Sequence, residues 1–155
     1  MEPPAKQAEM DAWRFDIHGP EAIRADLLDV FPYEYAGREI LLELTTSEFT
    51  SVCPWSGLPD FATLRILYVP AQLCIELKSF KYYLLSYRSV GIYYEHLTQR
   101  ILADLVAACA PHFLRIEGDF NERGGIATRA VAEHRQPGWA PQAPLDPRSA
   151  RRAIP

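Results

Sequence analysis

Cysteine is scarce in this chain: Cys53, Cys74 and Cys109 are the only three. The number is odd and no two stand at metal-site spacing, which argues against both a disulfide framework and a structural zinc site. A chain without disulfides is expected in the cytoplasm. No run approaches the roughly 20 apolar residues of a membrane span, so no membrane association is expected. The opening Met1-Glu2-Pro3-Pro4-Ala5-Lys6 lacks the apolar core of a secretory signal. Basic excess is also missing. The formal net charge is −4, which weighs against a duplex nucleic-acid partner while leaving room for a local basic pocket. Neither G-x-G-x-x-G nor a Walker loop is present, so any nucleotide must bind outside a Rossmann or P-loop frame. No cluster of His, Cys and carboxylates suggests a metal.

With 155 residues, 48% of them hydrophobic, the chain can build one core. A single domain is expected over 1–155, with its core at about 37–135 and terminal arms at 1–12 and 136–155. Residues 1–12 are polar and expected to fray. A short helix is expected from Glu21 to Val30. Glu39 to Thr45 alternates and predicts a strand with Ile40, Leu42 and Leu44 on one face. Thr46 to Asp60 reads as a loop, broken by Pro54, Gly57 and Pro59. Phe61 to Val69 is a second strand with Ala62, Leu64, Ile66 and Tyr68 inward.

The period then changes. Leu77, Phe80, Leu84 and Tyr87 predict a helix ended by Gly91. Tyr94 to Ala110 predicts another, with Leu97, Ile101, Leu105 and Ala108 inward and Pro111 as its stop. His112 to Phe120 and Ile126 to His134 read as strands around a Gly124-Gly125 turn. Gln136 to Pro155 carries five prolines and reads as an ordered arm or a loose tail. The order ββααββ implies an α+β layer: a four-stranded antiparallel sheet with two helices on one face. A sheet this small has two exposed edges, so an oligomer is expected.

Chemistry concentrates between Phe49 and Tyr83. A free cysteine commonly serves as a small buried hydrophobe, and Cys74 and Cys109 are read that way. Cys53 differs because it lies in a Pro-flanked loop between strands, where a thiol can be a nucleophile if a neighbour helps deprotonate it. Asp60, seven residues on, is either a turn or cap aspartate or a general acid/base. Lys78 and Lys81 share a helix face, and Arg123 beside two glycines adds a third cation. Together they could clamp phosphates; a solvated polar face is the plain alternative for the lysines. Glu95 is electrostatically comfortable near a helix N-terminus, and a carboxylate also suits the adjacent N–H and amino group of a guanine-like ring. His96 is a surface or cap histidine, or a proton donor.

In combination these motifs resemble the NADPH-dependent 7-cyano-7-deazaguanine reductases, the nitrile reductases of queuosine biosynthesis. The resemblance runs from about Glu48 to Ile126. It rests on Phe49-Thr50-Ser51-Val52-Cys53-Pro54, on Gly57-Leu58-Pro59-Asp60-Phe61-Ala62-Thr63 and on the Glu76 to Tyr83 signature. Ser86-Tyr87-Arg88 and Arg123-Gly124-Gly125-Ile126 complete it. It implies the tunnelling fold, with subunits joined into rings, active sites between subunits and a small deazapurine as substrate. It further implies Cys53 as nucleophile, Asp60 as proton carrier and Glu95 as reader of the deazaguanine edge. Lys78, Lys81 and Arg123 would hold the phosphates of NADPH.

One position departs from the pattern. Some members of that family carry a histidine directly before the glutamate; here Tyr94 stands there and His96 follows. The second proton donor is therefore Tyr94 or His96. The implied reaction proceeds through a cysteine thioimide and uses two NADPH per nitrile, with no metal. Two other readings are weighed: a relative that lets ammonia attack the thioimide, and a non-catalytic module that binds a purine or pterin.

Overall fold

The computed structural model describes residues 17–146. Its frame is an antiparallel sheet in the order β2 (Leu42–Val52), β3 (Pro59–Val69), β5 (Phe113–Arg123), β6 (Ile126–Arg135). Two short strands, β1 (Val30–Pro32) and β4 (Leu73–Ile75), pair separately. Helices α1 (Leu77–Leu85) and α2 (Tyr94–Cys109) lie between β4 and β5 in the chain. Among the described residues no helix is long and apolar enough to cross a membrane. The expected arm at 1–12 and the tail beyond residue 146 lie outside the described residues.

β3 shows why the layers form. Its even positions Ala62, Leu64, Ile66 and Tyr68 are buried in the main core with residues of both helices. Its odd positions Leu67 and Val69 join Phe113 in a second cluster on the opposite face. Trp139 and Leu145 pack on that second cluster, so the first part of the Pro-rich segment is an ordered arm. The arm is tied down where Gln142 and Ala143 N–H groups donate to Glu39 and where Asp146 meets Arg65.

Several boundaries differ from the expectations. β2 runs on to Val52 because a bulge between Thr46 and Phe49 resets the alternation, putting Phe49 and Ser51 inward. The loop before Asp60 therefore shrinks to residues 53–58. Ile40 lies before the strand and is exposed. Glu21 to Val30 is not an α-helix. It forms two single 3-10 turns, Pro20–Ala22 and Ala25–Leu27, and Val30 enters β1. That segment has only Ile23 to bury, too little for an apolar helix stripe.

α1 ends at Leu85, short of Gly91; its inward stripe is Phe80, Tyr83 and Leu84, continued by the buried Tyr87 in the turn that follows, while Leu77 is exposed. The Glu76 carboxylate caps this helix, accepting from the Lys78 N–H at 2.9 Å and the Ser79 N–H at 2.7 Å. α2 buries Leu97, Ile101, Leu105 and Cys109; Ala108 is only half-buried. It ends at Ala110, whose φ of 42° is left-handed, directly before Pro111. The helices are joined through Tyr83, which donates to Asp104 of α2 at 2.7 Å and meets the Tyr87 hydroxyl at 2.8 Å.

The sheet face away from the helices carries a ladder of charge. Glu117 is almost fully buried and accepts from Arg65, Arg115 and Arg129. Burial pushes its carboxyl up, but the guanidiniums, Arg65 foremost, outweigh this and hold it below the usual glutamate range. Removing one member of a buried ion network costs about 3–5 kcal/mol, because its partners stay buried and uncompensated. Glu117→Gln should lose about that much stability near neutral pH. A depressed folded-state pKa gives stability that is present above the unfolded pKa and lost as pH falls through the folded one. The gap between wild type and Glu117→Gln should therefore close in acid, as read by urea denaturation across the carboxylate range. A gap that stays constant into acid would rule out the ionised ladder.

Candidate active site

Cys53 follows the last residue of β2, and its loop is held by its own backbone. The Cys53 N–H donates to the Leu58 carbonyl at 2.9 Å, and the Gly57 N–H donates back to the Cys53 carbonyl at 2.9 Å. Gly57 has φ +72°, a conformation that L side chains rarely adopt. The loop is buttressed from behind. Val52 donates to Val90 at 3.0 Å, Ile92 donates to Val52 at 3.2 Å, and Gly91 donates to His18 at 2.9 Å. Ile17 lies so close to Gly91 that a Cβ there would come within 2.7 Å of it.

Asp60 is the second residue of β3 and sits opposite Ser51 of β2. Its carboxylate is 4% exposed. The Tyr94 hydroxyl at the start of α2 donates to Oδ1 at 2.7 Å, and Arg123 Nη2 at the end of β5 ion-pairs with the same oxygen at 2.7 Å. Arg123 also donates to the Pro59 carbonyl at 3.1 Å. Tyr94 is fixed by stacking on Phe120, with ring centroids 3.9 Å apart and planes 18° apart. Burial, followed by the Asp60 carboxylate, pushes the Tyr94 hydroxyl up to about 12.

The half-buried Cys53 thiol belongs to the same group. Burial pushes it up, but the Ser56 hydroxyl, the Ser56 and Trp55 N–H groups and the Arg123 guanidinium outweigh this, and the net displacement is downward. The other two thiols go the opposite way: burial raises Cys74, and it raises Cys109 to about 12. Cys53 is thus the one thiol of the three disposed to ionise.

The structure brings Cys53, Asp60, Tyr94 and Arg123 together. Glu95 and His96 lie on the first turn of α2, both exposed, with the His96 ring edge-on to Tyr93 at 6.2 Å. Lys78 and Lys81 are exposed on α1. Lys81 lines a cleft of about 410 Å³ between α1 and β2, whose walls include Leu44, Thr46, Phe49, Phe80 and Leu84. Among the described residues no group of His, Cys, Asp and Glu is arranged to hold a metal ion.

Three contributions were missed from sequence. Ser56 as a hydrogen-bond donor to the thiol left no signal beyond its place in the loop. The pairing of Arg123 with Asp60 depends on the β5–β6 hairpin folding back beside β3. Phe120 could have been anticipated as an inward residue of its strand, but its stacking on Tyr94 could not.

Comparison with known proteins places the chain in a family. A family profile described as QueF-like protein matches residues 59–139. A curated protein of Caldicellulosiruptor bescii named NADPH-dependent 7-cyano-7-deazaguanine reductase is 54% identical over 121 residues, which are 78% of this chain and 92% of that protein. A protein of the same name from Syntrophus aciditrophicus is 43% identical over 130 residues, 84% of this chain and 93% of the relative. Among solved structures, the apo form of the archaeosine synthase QueF-Like superposes with a TM-score of 0.58 at 29% identity. That match covers 65% of this chain and 96% of the other. The sheet with two helices on one face is the tunnelling fold that the resemblance implied.

The thiol environments generate a prediction. Iodoacetamide should label Cys53 well before Cys74 or Cys109, as read by peptide mass spectrometry. Arg123→Met should move the Cys53 labelling profile to higher pH, because a cation favouring the thiolate is gone. An unchanged profile would mean that Arg123 does not act on the thiol.

Proposed function

The chain belongs to the QueF-like family, and from that premise we propose that it is an NADPH-dependent 7-cyano-7-deazaguanine reductase. It would convert a nitrile to a primary amine in queuosine biosynthesis. The observation that carries the reading is that Arg123 and Tyr94 link the ionisable Cys53 with the buried Asp60 carboxylate. The 54% identity to reductases of that name supports it.

The thiol of Cys53 adds across the nitrile. One C–S bond forms, one π bond of C≡N breaks, and the thiol proton reaches nitrogen by way of Asp60, giving a thioimide. Arg123 favours the thiolate and ion-pairs with Asp60, the group placed to take that proton. NADPH, when bound, would supply hydride, one from each of two molecules, since nitrile to amine takes four electrons. Cys53 is released as the thioimide becomes an imine. Tyr94, with its hydroxyl aimed at Asp60, is the first candidate for the later proton, and His96 is the alternative.

The chain offers a fitting place for the dinucleotide. Lys78 and Lys81 are exposed ammoniums one turn apart, and Lys81 borders an apolar-walled cleft. Charge beside apolar surface suits phosphates next to planar rings. Arg123 is engaged by Asp60 and would reach a phosphate only by leaving it. Glu95 is assigned to the N–H and amino edge of the deazaguanine.

Assembly into a homo-oligomeric ring belongs to the same reading. β2 and β6 each present an edge, and Trp55, Leu58 and Phe61 are exposed around the Cys53 loop. A neighbouring subunit would cover that loop and keep water from the imine. A cytoplasmic location and action on the free deazapurine, without nucleic-acid contact, belong to the same proposal. The similarity to an archaeosine synthase favours one second reading, in which ammonia attacks the thioimide. Lys78 and Lys81 would then have no part in the chemistry.

Purified protein given 7-cyano-7-deazaguanine should oxidise two NADPH per aminomethyl product. Cys53→Ala should abolish both the covalent adduct, seen by intact mass, and turnover; normal turnover in that variant would sink the mechanism. Lys78→Ala with Lys81→Ala should raise KM for NADPH by about tenfold or more, as expected when a charge-assisted hydrogen bond of roughly 1.5–3 kcal/mol is lost. The adduct should form normally in that double variant. An adduct without any NADPH oxidation by the wild type would transfer the chain to the amidine-forming reading.

A further inference from the structure

Ser51 is 0% exposed, and among the described residues its hydroxyl is the one buried side-chain oxygen with no hydrogen-bond partner. A hydroxyl in that condition costs stability that alanine would not, so its presence calls for a reason. Its position supplies one. Ser51 stands directly opposite Asp60 in the β2–β3 ladder, so the two side chains leave the same face of the sheet as close neighbours. Ser51 is also two residues before Cys53, which follows the last residue of the same strand.

The partners of Asp60 are all donors. Tyr94 donates to Oδ1, Arg123 ion-pairs with the same oxygen, and a guanidinium can accept no hydrogen bond. That arrangement suits the carboxylate but not the carboxylic acid. Under the reading above, Asp60 takes the proton of the Cys53 thiol and later gives it to the nitrile nitrogen. Between those events it is an O–H donor and needs an acceptor. A serine hydroxyl can accept, and can also donate.

We infer that Ser51 is a positioning residue for proton transfer, its hydroxyl accepting the hydrogen bond of protonated Asp60 while the thioimide forms. This rests on the Cys53 and Asp60 chemistry proposed above. No electrons move in the step. The thiol S–H breaks, the C–S bond forms, and the proton passes from sulfur to Asp60 to nitrogen with Ser51 holding the intermediate acid. Around Asp60 the ionisable groups are Cys53 from the loop, Tyr94 from α2 and Arg123 from β5. Ser51 is the neutral member facing it from β2.

The test uses the full chain and 7-cyano-7-deazaguanine without NADPH, with adduct growth followed by intact mass over a pH series. Wild type and Ser51→Ala are run in parallel, and each is melted thermally. Ser51→Ala should melt no lower than wild type, form adduct at least tenfold more slowly, and show the acid limb of its rate profile moved to lower pH. That limb shifts down because the neutral form of Asp60 has lost its acceptor. An unchanged adduct rate in Ser51→Ala overturns the inference, and so does a slower rate accompanied by a lower melting temperature with an unmoved limb. Absence of adduct in the wild type overturns the reductase reading itself, and this inference with it.

Discussion

A carboxylate almost wholly withdrawn from water needs compensation on the spot, and Asp60 obtains it from two different parts of the chain. Tyr94 comes from the first turn of α2, and Arg123 from the far end of β5. Ion pair and hydrogen bond meet on a single oxygen, so both must arrive together for the charge to be tolerated. Much of the architecture can be read as delivering them. Phe120 stacks on Tyr94 and sets its angle, the Gly124-Gly125 turn brings Arg123 round, and the β2–β3 pairing places the Cys53 loop beside them.

The two faces of the sheet solve different problems. On the helix side, apolar residues of β3 meet the stripes of α1 and α2, and among the described residues the buried charge there is Asp60. On the other side, Glu117 gathers three arginines while Leu67, Val69 and Phe113 shelter under Trp139 and Leu145. Placing the structural charges on one face and the reactive charge on the other keeps their electrostatics apart. Arg65, Arg115 and Arg129 are occupied with Glu117, and the cation available to Asp60 is Arg123.

Strong periodicity was readable before any coordinates. Phe61 to Val69, Tyr94 to Cys109 and the hairpin around Gly124-Gly125 emerge close to their expected bounds, because burial on a flat sheet or a helix stripe enforces periods of 2 and 3.6. What escaped was local irregularity. A bulge in β2 hid the continuation of that strand to the edge of Cys53, and proline and aspartate between Pro20 and Asp29 favoured single turns over a helix. At the site, Cys53 and Asp60 were legible as residue types in a loop. Their joint dependence on Arg123 was not, since no spacing rule links residues 60 and 123 across a sheet.

Glu76 illustrates how a signature residue can act at one remove. Its carboxylate occupies the N–H groups that open α1, where the helix dipole would otherwise attract an anion. With those two N–H groups already engaged, the cations that α1 offers a phosphate are the exposed ammoniums of Lys78 and Lys81. Recognition there is by point charge and not by a preformed backbone cradle. Such a contact tolerates changes in the shape of its ligand but weakens as ionic strength rises. On the proposed reading the helix would grip a dinucleotide loosely and release it readily, which would suit a reduction that consumes two hydride carriers in turn.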